Sequence, residues 1–301
     1  MYQALKPARS EHIAVRHLSY HVRVWGEPSP ALPPLVLVHG WMDVSASWQF
    51  MVDALQASRW IIAPDWRGFG LTRASAPVDS YWFPDYLADL DTLLDHYAPG
   101  IPVDLVGHSM GGNVAMVYSG VRPQRIRRLV NLEGFGMPAT RPAQAPGRYA
   151  QWMDELKALH LGDSALKAYE SVDAVARRLM KTNRRLPADK AEWLARQWAA
   201  PNAQGQWEIL GDAAHKVVSA QLYRVDEAQE IFGRISAPVL SVTASDDSLG
   251  QWWKDRFTLD EFHERMKVVP QLRNEVVPDA GHMMHHDQPQ LLARMIESFL
   301  A

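Results

Sequence analysis

Val103-Asp104-Leu105-Val106-Gly107-His108-Ser109-Met110-Gly111 is the stretch of sequence from which we predict the fold of this chain. Its apolar first half predicts a buried strand, and the small and apolar residues at 114–121 predict a helix behind it. A G-x-S-x-G pattern between a strand and a helix is typical of a serine held on a sharp turn. Such a turn requires a positive φ at Ser109, and glycines on either side let strand and helix pass closely. We therefore expect the Ser109 hydroxyl at the carboxyl end of a strand. The Met110 amide, at the helix N-terminus, is then available to an oxyanion.

The composition narrows the class of protein. A length of 301 residues predicts one or two domains, and 47% hydrophobic with 22% charged residues is typical of soluble globular proteins. The net charge of −3 gives no reason to expect a nucleic-acid partner. The chain contains no cysteine, which excludes disulfides, thiolate metal sites and a cysteine nucleophile.

The sequence also indicates in which cellular compartment the protein is expected. Residues 1–9 contain no apolar segment of the kind found in signal peptides, and no apolar run is long enough to span a membrane. The absence of cysteine fits a reducing compartment. We therefore expect a cytoplasmic protein with a small-molecule substrate.

Apolar runs that alternate with helical patterns predict an α/β fold, a mostly parallel central sheet with helices on both faces. Residues 35–38 are a continuous apolar run, typical of a buried parallel strand, and they end at His39-Gly40-Trp41. Gly40 allows a sharp turn there, and we expect the Trp41 amide to face Ser109 as a second oxyanion donor.

Three more polar groups follow predicted strands. Glu133 follows the strand at 128–132, Asp246 and Asp247 follow the strand at 238–243, and His282 follows the strand at 275–277. The carboxyl ends of parallel strands share one edge of a sheet, so these side chains should meet Ser109. A serine needs a histidine base, and that histidine needs a carboxylate to fix its tautomer.

The pattern changes between residues 137 and 234, where helical periodicity replaces the apolar strand runs. The sequence therefore predicts a core formed by residues 1–136 and 235–301. Residues 137–234 are predicted to form an inserted helical layer without strands.

Together these motifs resemble the α/β-hydrolase fold superfamily over nearly the whole chain. The resemblance rests on Leu-Val-His-Gly-Trp at 37–41, Asp-Trp-Arg-Gly-Phe-Gly at 65–70, Gly-His-Ser-Met-Gly-Gly at 107–112 and Ala-Gly-His at 280–282. It implies that Ser109 is the nucleophile and His282 the base, with the Trp41 and Met110 amides as the oxyanion hole. It also implies that the helical insert is a cap over the pocket. We expect cap aromatics, among them Trp152 and Trp198, to narrow that pocket and favour a modest apolar group.

The acidic member of the triad has two candidates. Most members of the superfamily carry the acid one strand after the cap, in a pattern like Gly-x-x-Asp-Pro. Asp247 aligns with that acid, although Ala244 and Ser248 depart from the pattern at both flanking positions. Residues 131–138 resemble instead a subgroup of haloalkane dehalogenases whose acid is a glutamate before the cap, which makes Glu133 the rival. We favour Asp247.

The sequence thus predicts a serine hydrolase that cleaves an ester or related acyl bond through an acyl-enzyme, with no cofactor or metal. His285, His286 and Asp287 are interpreted as the solvated start of the closing helix rather than as metal ligands. Cleavage of carbon–carbon, amide or thioester bonds and cofactor-free haloperoxidase activity stay open. A non-catalytic ligand receptor is a further alternative, which the loss of a triad residue would favour.

Overall fold

The computed structural model describes residues 2–301. Its large sheet has nine strands, and a second sheet has three. The strands are β1 (Arg9–Val15), β2 (Leu18–Trp25), β3 (Leu35–Val38), β4 (Ile61–Pro64), β5 (Arg73–Ala74), β6 (Val103–His108), β7 (Ile126–Leu132), β8 (Ala168–Tyr169), β9 (Ala199–Pro201), β10 (Trp207–Ile209), β11 (Val239–Ala244) and β12 (Leu272–Val277).

Eleven α-helices accompany these strands within residues 2–301. They are α1 (Gln49–Ala54), α2 (Phe83–Tyr97), α3 (Met110–Val121), α4 (Ala145–His160), α5 (Val172–Thr182), α6 (Ala188–Trp198), α7 (Val225–Phe232), α8 (Ser248–Trp253), α9 (Leu259–Met266), α10 (Met284–Asp287) and α11 (Pro289–Leu300). No helix in the described part of the chain is both long and apolar enough to cross a membrane.

The large sheet runs in the order β1-β2-β4-β3-β6-β7-β11-β12, with β5 paired to β2. The pairs β1–β2, β2–β4 and β2–β5 are antiparallel, and from β4 to β12 every pair is parallel. The predicted mostly parallel sheet is confirmed. The parallel strands bring the ends of β3, β6, β7, β11 and β12 to one edge.

Helices cover both faces of the sheet, because the side chains of a strand alternate between its two faces. On β3, Val36 and Val38 pack into a core with α2 and α3, whereas Leu35 and Leu37 pack into another with α1 and α11. Strands buried on both faces read as continuous apolar runs, which is why the sequence revealed them.

Residues 137–234 contribute α4 to α7 and no strand to the large sheet. They form their own apolar cluster between α5 and α6, against which Phe50 packs. The expectation that this stretch has no strands was wrong, since β8, β10 and β9 form a small antiparallel sheet. Strands of two or three residues are too short to show a two-residue period in the sequence. The boundaries of core and cap stay a prediction.

A buried ion-pair cluster holds the start of β6 in the sheet. The Asp104 carboxylate is completely buried and accepts hydrogen bonds from the guanidinium groups of Arg59 and Arg127. Removing one partner of a buried ion pair leaves the other charges without compensation, which is strongly destabilising.

We therefore expect Asp104→Ala to lower the free energy of unfolding by about 3–5 kcal/mol, measured by urea denaturation. The control is Asp95→Ala, which breaks a pair between Arg125 and a carboxylate that is 64% exposed. Exposed pairs contribute about 0–1 kcal/mol, so this variant should unfold close to wild type. Equal losses in the two variants would contradict the role given to Asp104.

Candidate active site

Ser109 lies on the turn between β6 and α3 with φ +54° and ψ −119°. Its amide donates a hydrogen bond to the Leu132 carbonyl at 2.8 Å, and its carbonyl accepts one from the Asn113 amide at 3.0 Å. A positive φ is strained for any residue with a Cβ, so the fold holds Ser109 in this conformation through its neighbours. The predicted backbone conformation is confirmed.

Two glycines make this turn sterically feasible. A Cβ on Gly107 would lie 2.4 Å from the carbonyl oxygen of Gly111, and a Cβ on Gly111 would lie 2.3 Å from that of Val38. Both distances are far shorter than a van der Waals contact, and in both cases the atom that a Cβ would meet belongs to the backbone, which cannot easily move away. The first turn of α3 therefore packs directly against β3 and β6.

Glu133 follows β7 on a second strained turn, with φ +51°. The side chain of Asn131 closes this turn, because its amide oxygen accepts the Gly134 N–H at 2.9 Å. The Glu133 carboxylate is buried. Its Oε1 accepts the backbone N–H of Ala244 at 2.8 Å, and its Oε2 lies 2.7 Å from Nδ1 of His282.

The His282 imidazole lies in the loop between β12 and α10 and is 22% exposed. Because Nδ1 donates to the Glu133 carboxylate, Nε2 is left as the proton acceptor. The Trp252 ring packs edge-on against this imidazole, with 4.3 Å between ring centroids. The preceding amide, that of Gly281, donates to the Asp287 carboxylate at 2.9 Å. Asn183, from the insert, donates to the same carboxylate at 2.6 Å.

The preference for Asp247 as the acid is corrected by this geometry. Asp247 is exposed and accepts the Gly250 N–H at 2.8 Å, which makes it the N-cap of α8. Its neighbour Asp246 forms an ion pair with Arg185. Because α8 begins only a few residues after β11 ends, the Asp247 side chain caps the N-terminus of that helix and does not reach His282. Glu133 occupies Nδ1 of His282 instead.

Ser109 and His282 are connected through His108. Nε2 of His108 donates to the His282 carbonyl oxygen at 2.8 Å, and the two rings are 4.6 Å apart between centroids. In residues 2–301 the Ser109 hydroxyl makes no hydrogen bond to the imidazole, which is common before a substrate binds. The structure thus brings Ser109, His282 and Glu133 to the same edge of the sheet.

The loop after β3 also reaches Ser109. A Cβ on Gly40 would lie 3.0 Å from Cβ of Ser109, so the Gly40 backbone touches the serine. Nδ1 of His39 donates to the Gly40 carbonyl at 2.7 Å, while Nε2 accepts the Trp66 amide at 2.9 Å. Burial lowers the pKa of His39 to about 4, which keeps this ring neutral. A trans peptide directs N–H and C=O oppositely, so His39 also fixes the direction of the Trp41 amide.

The aromatic residues near the site differ from those expected. The ring on His282 is Trp252, for which the sequence carries no motif. Trp152 packs against Trp82 at 6.3 Å between centroids, and the Trp198 indole lies close to Asp43. That Trp152 and Trp198 line the substrate pocket stays a prediction.

The expectation of a solvated helix start at His285 and His286 was wrong, because the residues are only 1% and 3% exposed. The His285 ring packs against Trp48, and Nε2 of His286 lies 2.9 Å from the Ser47 hydroxyl. Burial lowers the pKa of His286 to about 3 and that of His285 well below its usual value. The short helix α10 is turned into the core, which its polar sequence did not indicate.

Comparison with known proteins identifies the family. A family model of the α/β hydrolase fold matches residues 33–289, so the chain belongs to the α/β hydrolase family and is a hydrolase by class. It is 24% identical over 282 residues to a serine hydrolase-like protein from Danio rerio, covering 92% of this chain and 84% of that protein. It is 26% identical over 281 residues to an sn-1-specific diacylglycerol lipase from Mus musculus, covering 90% and 81%.

A solved structure supports the same fold. The chain superposes on a thioesterase domain from the curacin biosynthetic pathway with a TM-score of 0.83. The match has 22% sequence identity and covers 97% of this chain and 99% of that one. The likeness at this identity concerns the fold alone.

Proposed function

We propose that this protein is a serine hydrolase that cleaves an ester or related acyl bond of a small, largely apolar substrate. Ser109 is the nucleophile, His282 is the general base, and Glu133 is the acid that orients His282. The observation that carries the proposal is the 2.7 Å contact between Glu133 and Nδ1 of His282, beside a serine held at positive φ. Two relatives named as a serine hydrolase-like protein and a lipase support it.

The chemistry follows from the protonation of His282. Nε2 takes the proton of the Ser109 hydroxyl as its oxygen attacks the substrate carbonyl, and the negative charge moves to the carbonyl oxygen. When the C–O bond breaks, His282 gives the proton to the leaving alcohol and an acyl-enzyme remains. His282 then takes a proton from water, whose oxygen attacks the acyl carbon. When the bond between that carbon and Oγ of Ser109 breaks, His282 returns the proton to Oγ, the acid is released and the Ser109 hydroxyl is restored.

Two backbone amides are proposed to form the oxyanion hole. The Met110 amide is the first of α3, a helix of twelve residues, so its N–H is free and lies at the positive end of the helix dipole. The Trp41 amide belongs to the peptide whose carbonyl is held by His39. That hydrogen bond orients the amide before the substrate arrives, which is the requirement for electrostatic stabilisation.

The insert at residues 137–234 is proposed to cap this site. His215 anchors the insert to the core, since its ring stacks between Phe69 and Tyr81 at 3.8 Å from each. We propose that Trp152 and Trp198, on α4 and α6, line the pocket under the cap. An apolar substrate is supported by two exposed indoles at the site, Trp41 at 52% and Trp252 at 46%.

The nucleophile is tested by Ser109→Ala. This variant should lose covalent labelling by a fluorophosphonate and should hydrolyse a chromogenic ester several orders of magnitude more slowly than wild type. The fold is checked by thermal unfolding. Stoichiometric labelling that survives the substitution would contradict the assignment.

The acid is tested by a pair of amide substitutions. Glu133→Gln should lower kcat by about 10⁴-fold, because the amide no longer holds His282 in the reactive tautomer. Asp247→Asn is the matched control and should retain nearly full activity, since asparagine caps helices as well as aspartate. A larger loss in Asp247→Asn than in Glu133→Gln would overturn the proposed triad.

The bond type is tested with a substrate panel measured on wild type and Ser109→Ala. Esters of increasing acyl length are expected to react fastest, with activity lost in the variant. Serine-dependent cleavage of a carbon–carbon, amide or thioester substrate in preference to every ester would replace the proposed bond type. A preference for highly charged esters would contradict the apolar pocket.

A further inference from the structure

Three buried polar side chains meet next to the Ser109 turn: Asp43, His108 and His285. Each has at least one buried nitrogen or oxygen atom without a hydrogen-bond partner in the described part of the chain. These atoms are Oδ2 of Asp43, Nδ1 of His108 and Nδ1 of His285. Buried polar atoms are nearly always hydrogen-bonded, and three unpartnered ones in a single cluster require an explanation.

The other polar atoms of the cluster show why these atoms remain available. Oδ1 of Asp43 accepts the Val44 amide at 2.9 Å and the Ser47 hydroxyl at 2.7 Å, which leaves Oδ2, with the Trp198 indole close to the same carboxylate. Nε2 of His108 donates to the His282 carbonyl, which leaves Nδ1 with a lone pair. The Asp43 oxygen and the His108 nitrogen are therefore electron-pair donors, and His285, whose ring nitrogens form no hydrogen bond in the described residues, offers the lone pair of whichever nitrogen is unprotonated.

The spacing of the donors is close to that of a metal site. One donor atom from each residue lies within 4.8 Å of the other two, and Oδ2 of Asp43 lies 4.0 Å from Nε2 of His285. Three atoms no farther apart than that share a point about 2.8 Å or less from each. A zinc–ligand bond measures about 2.0–2.2 Å, so each donor would have to move inward by at most about 0.7 Å.

We propose that Asp43, His108 and His285 bind a divalent transition-metal ion of the Zn²⁺ or Co²⁺ type, and that the bound ion inhibits the enzyme. Two imidazoles and one carboxylate form a ligand set that suits these ions and excludes Mg²⁺ and Ca²⁺, which prefer oxygen ligands. The site is distinct from the proposed catalytic residues, and nothing in the proposed reaction uses it.

Inhibition follows from the position of His108. This residue precedes Ser109 in the chain, and its Nε2 holds the His282 carbonyl at 2.8 Å. A metal that draws Nδ1 inward moves the same ring, and with it the spacing between nucleophile and base. Misplacement by about 1 Å can slow an oriented reaction by about 10²-fold. This part of the inference rests on the proposed function.

The burial of all three residues also predicts the kinetics. An ion reaches the cluster only when the surrounding structure opens locally, so inhibition should develop slowly after mixing. An ion that binds a partly exposed imidazole such as His282 needs no opening and inhibits at once. The time course therefore separates the buried site from trivial coordination at the active site.

Metal binding is tested on the full chain, stripped of metal, by titration with Co²⁺ and visible absorption spectroscopy. We expect one equivalent to bind, and His285→Phe to weaken that binding at least about tenfold. Phenylalanine keeps an aromatic ring against Trp48 and removes both imidazole nitrogens, neither of which forms a hydrogen bond in the described residues. Asp43→Asn is a second variant that retains side-chain size. The control, His96→Phe, makes the same substitution at an exposed histidine and should bind as wild type does.

Inhibition is tested separately through the rate of fluorophosphonate labelling after incubation with Zn²⁺. We expect a slow decline that a chelator reverses and that His285→Phe abolishes. Absence of a stoichiometric Co²⁺ spectrum, or equal affinity in His285→Phe and wild type, would overturn the site. Binding without any change in labelling of an enzyme that does label would overturn the inhibition alone. Because the Co²⁺ spectrum needs no turnover, binding in a protein that neither labels nor cleaves esters would refute only the proposed function.

Discussion

The hydrogen bond between Glu133 and His282, 2.7 Å long, joins residues that are 149 positions apart in the sequence. It depends on the large sheet, because β7 carries Glu133 and β12 leads into the loop of His282. It also depends on β11, whose last residue Ala244 donates to the second carboxylate oxygen. Three parallel strands therefore define the position of one imidazole, and the proposed serine chemistry depends on that position.

Backbone strain is concentrated where this chemistry is proposed. Ser109 and Glu133 are both non-glycine residues at positive φ, and they end the adjacent strands β6 and β7. Neighbouring residues hold each strained turn. The Ser109 amide donates a hydrogen bond to the Leu132 carbonyl, and the side chain of Asn131 accepts one from the Gly134 amide in the Glu133 turn. Favourable interactions in the surrounding sheet offset the free energy that these two strained backbone conformations cost, as is usual at functional sites.

The sequence predicted the structure correctly where a short local pattern is compatible with only one local conformation. The apolar runs of buried strands and the glycines around Ser109 were sufficient to predict the sheet, the strained serine and the edge where polar residues meet. The choice between Asp247 and Glu133 was not local, because both follow strands and only the lengths of the intervening turns decide which carboxylate reaches His282. The burial of His285 could not be predicted locally either, because polar residues before a helix are ordinarily exposed to solvent. Trp252 carried no motif at all.

The central claim is that Glu133, and not Asp247, holds the proton on Nδ1 of His282. Proton NMR of the resting enzyme measures this directly, because an imidazole N–H shared with a buried carboxylate resonates far downfield and exchanges slowly. We expect such a resonance in wild type and in Asp247→Asn, and its loss in Glu133→Gln. A resonance that persists in Glu133→Gln and disappears in Asp247→Asn would contradict it.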